Sequence, residues 1–459
     1  MSIVGTGNGL TTGNDMGALL SGIQADQVEL NVIGNNIANA TTPGYTNEVV
    51  NLSPLQPVAE GYGYLGQGVA VDGVTRTRNA LLDQQYWSSA STSSYWDQTQ
   101  SVLSSLQSFF GSVSNNTIMQ SIQGFFSGWQ NVASNPESIA ARQALIGDGQ
   151  ALAQAFQGGM TQLQSTAASL NNGVVSDVQQ INQYAQQIAS LNQQIVASGD
   201  QANTLKDQRD TLVNELAAIV PVSVSTAANG AMNIQVDGHS LVYGVGTSLL
   251  ATRISGGVNQ VYWQVDGATA SFSGGQLQAM IDMRDTTIPS YETQLNTLAA
   301  DLISQVNTQH QAGYGLNNAT GLNFFNGSGA GDISVNPTIV ANPSDIAASS
   351  ASGQPGNNTN ALAIFNIENS STFSGQTPSQ FLTNLLVTMG ADAQNAQQNQ
   401  TTYDAVTQQA HTARSNADGV NINAEMALLV EVQNSYQAAS KAMAVVQAAM
   451  TNLINSVQP

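Results

Sequence analysis

Apolar positions recur every seven residues at both ends of this chain and not in its middle. Near the start the repeat is Met16, Ile23, Leu30 and Ile37, and near the finish it is Leu429, Tyr436, Met443, Met450 and Val457. A seven-residue period keeps an apolar seam facing a partner helix as the two supercoil. The pattern predicts two helices from opposite termini, paired as a coiled-coil stalk. Leu19, Leu20, Ile33, Met426 and Ile454 broaden the seams, so each helix has one stripe for its mate and another for neighbouring molecules. Leu428, Val432, Val446 and Leu453 are read as a second stripe that is buried when copies join in a ring. On spacing alone, an ordinary bundle core is the commoner outcome. Lys441 is the only cation after Arg414, so ion-pair support along the last helix is nearly absent. The stalk is accordingly expected to become ordered on assembly.

Between the seams the period changes. Residues 80 to 220 read as long polar helices, with Leu103, Leu106, Phe109 and Phe110 in one stretch and Ile181, Ile188, Leu191 and Ile195 in another. Pro221 breaks that pattern. Val222–Val224, Asn233–Val236 and Val261–Val265 then alternate as strands, with Asp237-Gly238 and Asp266-Gly267 as turns. Helix resumes from Leu277 to His310, striped by Leu295, Leu298, Leu302 and Val306. A Gly-, Asn-, Ser- and Pro-rich region at 311–376 is expected to be irregular with short strands, and 378–416 returns as helix. Because the terminal seams must meet, the predicted organisation is nested: 1–75 with 415–459 as the stalk, 76–220 with 276–414 as a helical domain, and 221–275 as a β-rich insertion facing outward. The fold class is mainly α with a β insertion.

The first seam ends in Asn35-Asn36-Ile37-Ala38-Asn39-Ala40-Thr41-Thr42-Pro43-Gly44-Tyr45. Pro43 presets φ for the second position of a turn, and Gly44 supplies the positive φ that a type II turn needs next. This stretch resembles the N-terminal signature of bacterial flagellar rod, hook and hook-associated proteins. The run Asp418-Gly419-Val420-Asn421-Ile422-Asn423, continuing through Glu425 and Gln433 to Tyr436-Gln437-Ala438, is similar to its C-terminal half. Interior segments narrow the resemblance to the hook-associated protein 1 family. They are Ala133–Ser138 with Ala140–Leu145, Leu205–Asp210 with Asn214–Leu216, Gly274–Leu277 through Met283–Asp285, and Val306–His310 with Gly313, Gly321, Phe324 and Phe325. Only scattered positions of 226–270 and 326–400 look familiar.

The resemblance implies a structural, non-enzymatic junction protein of the flagellum, forming a ring between a curved hook and a stiff filament. It implies four partners: copies of itself, hook protein, hook-associated protein 3, and an export chaperone on the C-terminal amphipathic helix. It also implies passage through the flagellar type III apparatus without a cleaved signal, and an extracellular destination. The implied assembly interface comprises the two seams, Val432, Val446 and Leu453, and the turn residues Asn35, Asn36, Asn39, Pro43, Gly44 and Tyr45. The nearest rival is a hook or distal-rod axial protein. A secreted adhesin or a peptidoglycan hydrolase is the rival of another class.

Composition bears on these readings. The 459 residues include no cysteine, which excludes disulfides, thiol nucleophiles and thiolate metal sites. Nine Lys and Arg against 29 Asp and Glu give a net charge of −20, so neither nucleic acid nor an anionic membrane surface is an expected partner. No cation precedes Arg76 and no apolar run is long enough to span a bilayer. His239, His310 and His411 lack the paired spacing of a zinc helix and are expected to be structural or exposed. Gly5-Thr6-Gly7-Asn8-Gly9 lacks the Gly-Lys-Ser/Thr continuation of a phosphate loop. Asp15, Asp26 and Glu29 lie near one another in sequence, but a coiled-coil stalk offers no cleft for two carboxylates to act on a glycoside. No cofactor and no metal are expected. Arg209 and Arg284, each beside an aspartate, are expected to form structural ion pairs.

Overall fold

A computed structural model describes residues 8–60, 63–199 and 202–457, with the side chains of 8–15, 60, 453 and 457 excepted. The chain opens with α1 (Asn8–Asn39), then two small antiparallel hairpins built from β1 (Glu48–Pro54), β2 (Val58–Glu60), β3 (Gly63–Leu65) and β4 (Val69–Arg76). Four helices follow: α2 (Ala80–Phe110), α3 (Thr117–Ser134), α4 (Ile139–Ser198) and α5 (Asn203–Ile219). Side chains placed just ahead of these helices set their starts. The Asn79 carboxamide accepts from the Leu81 and Leu82 amides at 3.1 and 3.3 Å, and the Ser138 hydroxyl accepts from the Ala141 amide at 3.2 Å.

After Pro221 the chain forms β5 (Ser223–Thr226), β6 (Met232–Val236), β7 (His239–Tyr243) and β8 (Gly246–Thr247) in one four-stranded sheet, with β9 (Leu250–Ser255) and β10 (Val258–Trp263) as a separate hairpin. The turn between β6 and β7 is Asp237-Gly238, both at positive φ (46° and 85°), the geometry of a two-residue type I′ hairpin. Val265 lies beyond β10 and is exposed. A continuous helical run then contains α6 (Gly275–Asp282), a π-helical turn at Met283–Thr287, and α7 (Ile288–Gln311). The Asn- and Gly-rich region that follows is less irregular than its composition suggests. It holds the short β11 (Phe325–Asn326) and β12 (Ser334–Val335) pair and the helices α8 (Pro337–Ala341) and α9 (Thr359–Phe365). A Thr377–Gln380 capping box starts α10 (Pro378–Asp418), and α11 (Ile422–Val457) ends the described chain. The fold is mainly α, and its β structure is not confined to the insertion, since the β1–β4 hairpins were not anticipated.

One hydrophobic core runs through the helical body. α2 packs along α10, α3 against α4, and α7 against both α4 and α10. Phe125, Phe126, Trp129, Phe156, Phe324 and Phe325 are fully buried in it. His310 sits in that aromatic cluster, with ring centroids 6.0 Å from Trp129 and 5.7 Å from Phe324. Arg284 forms the ion pair expected of it, with Nε 2.6 Å from Asp285 Oδ1, and also donates to Asn171 and to the Asn259 carbonyl, fastening the β9–β10 hairpin to the helices. Arg209 does not pair with its neighbouring aspartate. Its Nη1 donates to Asn192 Oδ1 and to the Gly230 carbonyl, both at 2.8 Å. Adjacent residues on a helix point about 100° apart, so Asp210 faces a different partner.

Candidate assembly interface

α1 and α11 pack on each other, as the matching periods require. Burial along this seam is shallow. Ala25, Ile33 and Val432 are its buried apolar side chains, whereas Met16, Ile23, Leu30, Ile37, Leu429, Tyr436, Met443 and Met450 are half-buried. Val432 and half-buried Val446 are therefore not a stripe apart from the seam. They alternate with Leu429, Tyr436, Met443 and Met450 at spacings of three and four on one helix face. Leu20, Met426, Leu428 and Ile454, also assigned to the stripes, are exposed. The side chains of Leu453 and Val457 lie outside the described residues, as do Gly5–Gly7 and the Asp15 side chain. Gln27 Nε2 reaches Tyr436 Oη across the pair at 3.4 Å.

The signature turn closes the base of this pair. The Tyr45 amide donates to the Thr42 carbonyl at 3.2 Å and Gly44 has φ 82°, the hydrogen bond and positive φ of a type II turn. A Cβ on Gly44 would stand 2.7 Å from Thr211 Oγ1, so the turn lies tight against α5. Pro43 and Asn35 are exposed, and Asn39 bonds back to the Asn35 carbonyl at 3.1 Å. Asn36 is the buried centre, only 1% exposed. Its Nδ2 donates to the Glu48 carbonyl at 2.9 Å and to Glu425 Oε2 at 3.3 Å, while its Oδ1 accepts from the Glu48 amide at 3.1 Å and from Tyr45 Oη at 2.8 Å. One carboxamide thereby joins α1, the turn, β1 and α11. Burial, with Glu48, Asp207 and Glu425 nearby, raises the Tyr45 phenol well above its ordinary value, so it stays a neutral donor.

Beside the turn lies an ionic cluster that sequence reasoning missed. Arg76, at the end of β4, pairs with Asp207 and lies 2.8 Å from Asp210 Oδ2. Arg78 reaches Asp83 at 2.8 Å, Asp210 at 3.4 Å and Asp418 at 3.9 Å, and Arg414 stands 3.7 Å from Asp83. Arg414 also covers the Tyr86 ring at 4.0 Å and donates to Asn214 at 2.9 Å. Backbone contacts run alongside, with the Asn47 amide on the Asp418 carbonyl at 2.8 Å and the Asn79 amide on Asp418 Oδ1 at 3.1 Å. Burial works against the Arg76 charge, but Asp210 and Asp207 hold its guanidinium above the ordinary value. Burial lifts the Asp83 carboxyl to about 6 despite Arg78. The cluster clamps the base of the α1–α11 pair to α2, α5 and α10. No single residue in it carries a signature, because the partners lie between 5 and 340 positions apart.

The three histidines sit apart. His310 is fully buried, with Nδ1 donating to the Leu322 carbonyl at 2.7 Å and Nε2 accepting from the Ala347 amide at 3.0 Å. His239 stacks on Trp263 and His411 meets the edge of Tyr86. Among the described residues no group of three His, Asp or Glu side chains is arranged to hold a metal ion, and no helix is long and apolar enough to cross a membrane.

Comparison with known proteins adds identity to this geometry. The family described as "Flagellar hook-associated protein FlgK helical domain" matches residues 103–325, and "Flagella basal body rod protein" matches residues 16–46, which cover much of α1 and the turn. Flagellar hook-associated protein 1 of Escherichia coli strain K12 is 32% identical over 345 residues, covering 70% of this chain and 63% of that protein. The Salmonella typhimurium protein of the same name is 27% identical, with 58% of it covered, so the chain spans less than two thirds of the length of these two relatives. The Bacillus subtilis strain 168 protein of that name is 25% identical, covering 95% of this chain and 96% of the relative. The solved structure of the flagellar hook junction protein FlgK from Burkholderia pseudomallei shares the fold, with TM-score 0.65 at 17% identity over 72% of this chain and 99% of that one. With the helical body matched at 103–325 and α1 with the signature turn matched at 16–46, the chain belongs to the flagellar hook-associated protein 1 family.

Proposed function

We propose that this chain joins the flagellar hook to the filament by assembling as a ring of copies through its terminal helices. The observation that carries this reading is the shallow burial of the α1–α11 seam, where Leu428 stays exposed, together with an outer face of α11 that exposes Met426, Val430 and Val445. A helix pair that leaves so much apolar surface in water is built to be covered by neighbours. In this reading 1–75 with 415–459 line the inner tube, 76–220 with 276–414 form the surrounding helical layer, and 221–275 face outward. Hook protein lies below and hook-associated protein 3 above. The apolar face of α11 is held before export by a chaperone that takes an amphipathic helix in a groove. The protein leaves the cell through the flagellar export apparatus without a cleaved signal.

The match of residues 103–325 to the hook-associated helical domain favours this role over a rod or hook protein, because the rod-type match is confined to residues 16–46. Deletion of the gene tests the reading by electron microscopy of flagella and by flagellin in the medium. Hooks without filaments and released flagellin are expected. Intact filaments would overturn it.

A further inference from the structure

The termini are nearly devoid of positive charge. Residues 1–75 and 415–459 contain nine Asp and Glu and a single cation, Lys441. Three of those acids crowd together: Glu29 faces Asp26 on α1 and Glu431 on α11, and burial with both like charges raises its carboxyl. Among the described residues no cation pairs with any of the three. Lys441 makes no ion pair among the described residues either, and stands exposed on the outer face of α11. That face lies opposite the Val432 side of the helix and carries exposed Val430, Ala438, Val445 and Ala448 around the lysine. It is an apolar strip with one positive charge. Ten residues separate Lys441 from Glu431, about 15 Å along a straight helix, which is too far for the two to pair within one copy.

We infer that the outer face of α11 docks on the α1–α11 pair of a second copy displaced along the helix axis, with Lys441 of one copy set against Asp26, Glu29 and Glu431 of the next. This rests on the assembly role proposed above and specifies its geometry. Copies at one level would place Lys441 beside Lys441 and leave each acidic trio facing another at the same height. An axial offset of about 15 Å brings opposite charges together and covers Val430 and Val445 in the same contact. Charge complementarity of this kind sets register and suppresses wrong pairings.

The absence of native cysteine gives a clean background for the test. Full-length Lys441→Cys and Glu431→Cys chains are co-expressed in a strain lacking the native gene, and isolated flagella are oxidised. The inference expects a mixed disulfide, joining position 441 of one chain to position 431 of the other, that outweighs either like-with-like product. Dominance of the product joining two 441 positions, or no cross-link in attached flagella, would overturn it. As a second arm, Lys441→Glu alone is expected to lower incorporation at least about tenfold, and adding Glu431→Lys to restore it. Restoration that fails while circular dichroism shows both chains folded would also overturn it. Filaments that persist in the gene deletion would instead sink the junction role itself, so the two failures are distinguishable.

Discussion

Asn36 and Glu425 lie 389 positions apart and meet as a buried hydrogen-bonded pair, Nδ2 to Oε2 at 3.3 Å. Because the same carboxamide also bridges the Glu48 backbone, losing it strands several buried groups at once. Asn36→Asp removes both donated bonds and sets a second carboxylate against Glu425. We expect the α1–α11 pair to lose about 1–3 kcal/mol, read as faster amide exchange in α1, β1 and α11 with the α2–α10 body unchanged. Glu425→Gln in the same chain should recover part of the loss, since it removes the repulsion.

Arg76 stands between two aspartates with only 9% of its side chain exposed. Arg76→Ala leaves Asp207 buried without its cation and Asp210 with only the longer Arg78 contact, at an expected cost of about 3–5 kcal/mol in urea unfolding. Arg253, exposed over Tyr262 at 5.2 Å, provides the contrast, and its alanine variant should lose about 0.5–1 kcal/mol.

Stability should depend on pH through two groups of opposite sign. Burial pushes the His310 imidazole from 6.5 down to about 4. Between those values the unfolded chain binds a proton that the native one refuses, so stability is full above about 6.5 and falls as pH drops toward 4. The difference in denaturation midpoint between the native chain and its His310→Gln variant, measured from pH 7 to 4, should follow that slope. His310→Gln should be less stable at pH 7 and should show a shallower slope.

Asp177 runs the other way. Its Oδ2 is buried without a hydrogen-bond partner, and burial lifts the carboxyl from 3.8 to about 6. The native state holds this proton more tightly, so the group's contribution is best below about 4 and worsens as pH rises through 6. Asp177→Asn should therefore stabilise the protein at pH 8 by about 1–2 kcal/mol, with the gain vanishing as pH falls to 4. A urea series at the two pH values reads the difference.

Two substitutions separate the terminal pair from the body. Leu429→Asp places a charge in the half-buried seam, and Ala439→Pro breaks α11 within the same face. Each is expected to abolish motility while the helical body keeps its unfolding transition. Normal swimming in either variant would contradict assembly through these helices.

The long helices and the meeting of the termini were legible because their apolar period is sustained over several turns. Asp237-Gly238 announced its hairpin because the two-residue turn demands positive φ at both positions. The β1–β4 hairpins gave no such signal. β2 and β3 hold three residues each, Pro54 ends β1 and Pro57 precedes β2, and Val49, Leu52, Leu55, Val58 and Val71 remain exposed, so no clean inside-outside alternation marks them. The division of α11 into two stripes failed at Val432 and Val446, which stand three residues after Leu429 and Met443 and so share their helical face. The Arg76–Arg78–Arg414 cluster is tertiary: its aspartates come from three distant helices, and the Arg209-Asp210 neighbours that suggested an ion pair turn to different partners.

The π-helical turn at Met283–Thr287 lets one helical run serve two sets of neighbours. α6 packs on α2 and α5, whereas α7 packs on α10 and α9, and both touch α4. A π turn inserts one residue into the helical count, which advances every later side chain by about 100° around the axis. It works as a phase shifter between two recognition codes written on a single rod. Removing one residue from it would leave both halves helical yet aim Leu295, Leu298, Leu302 and Val306 about a quarter turn away from the core they now fill.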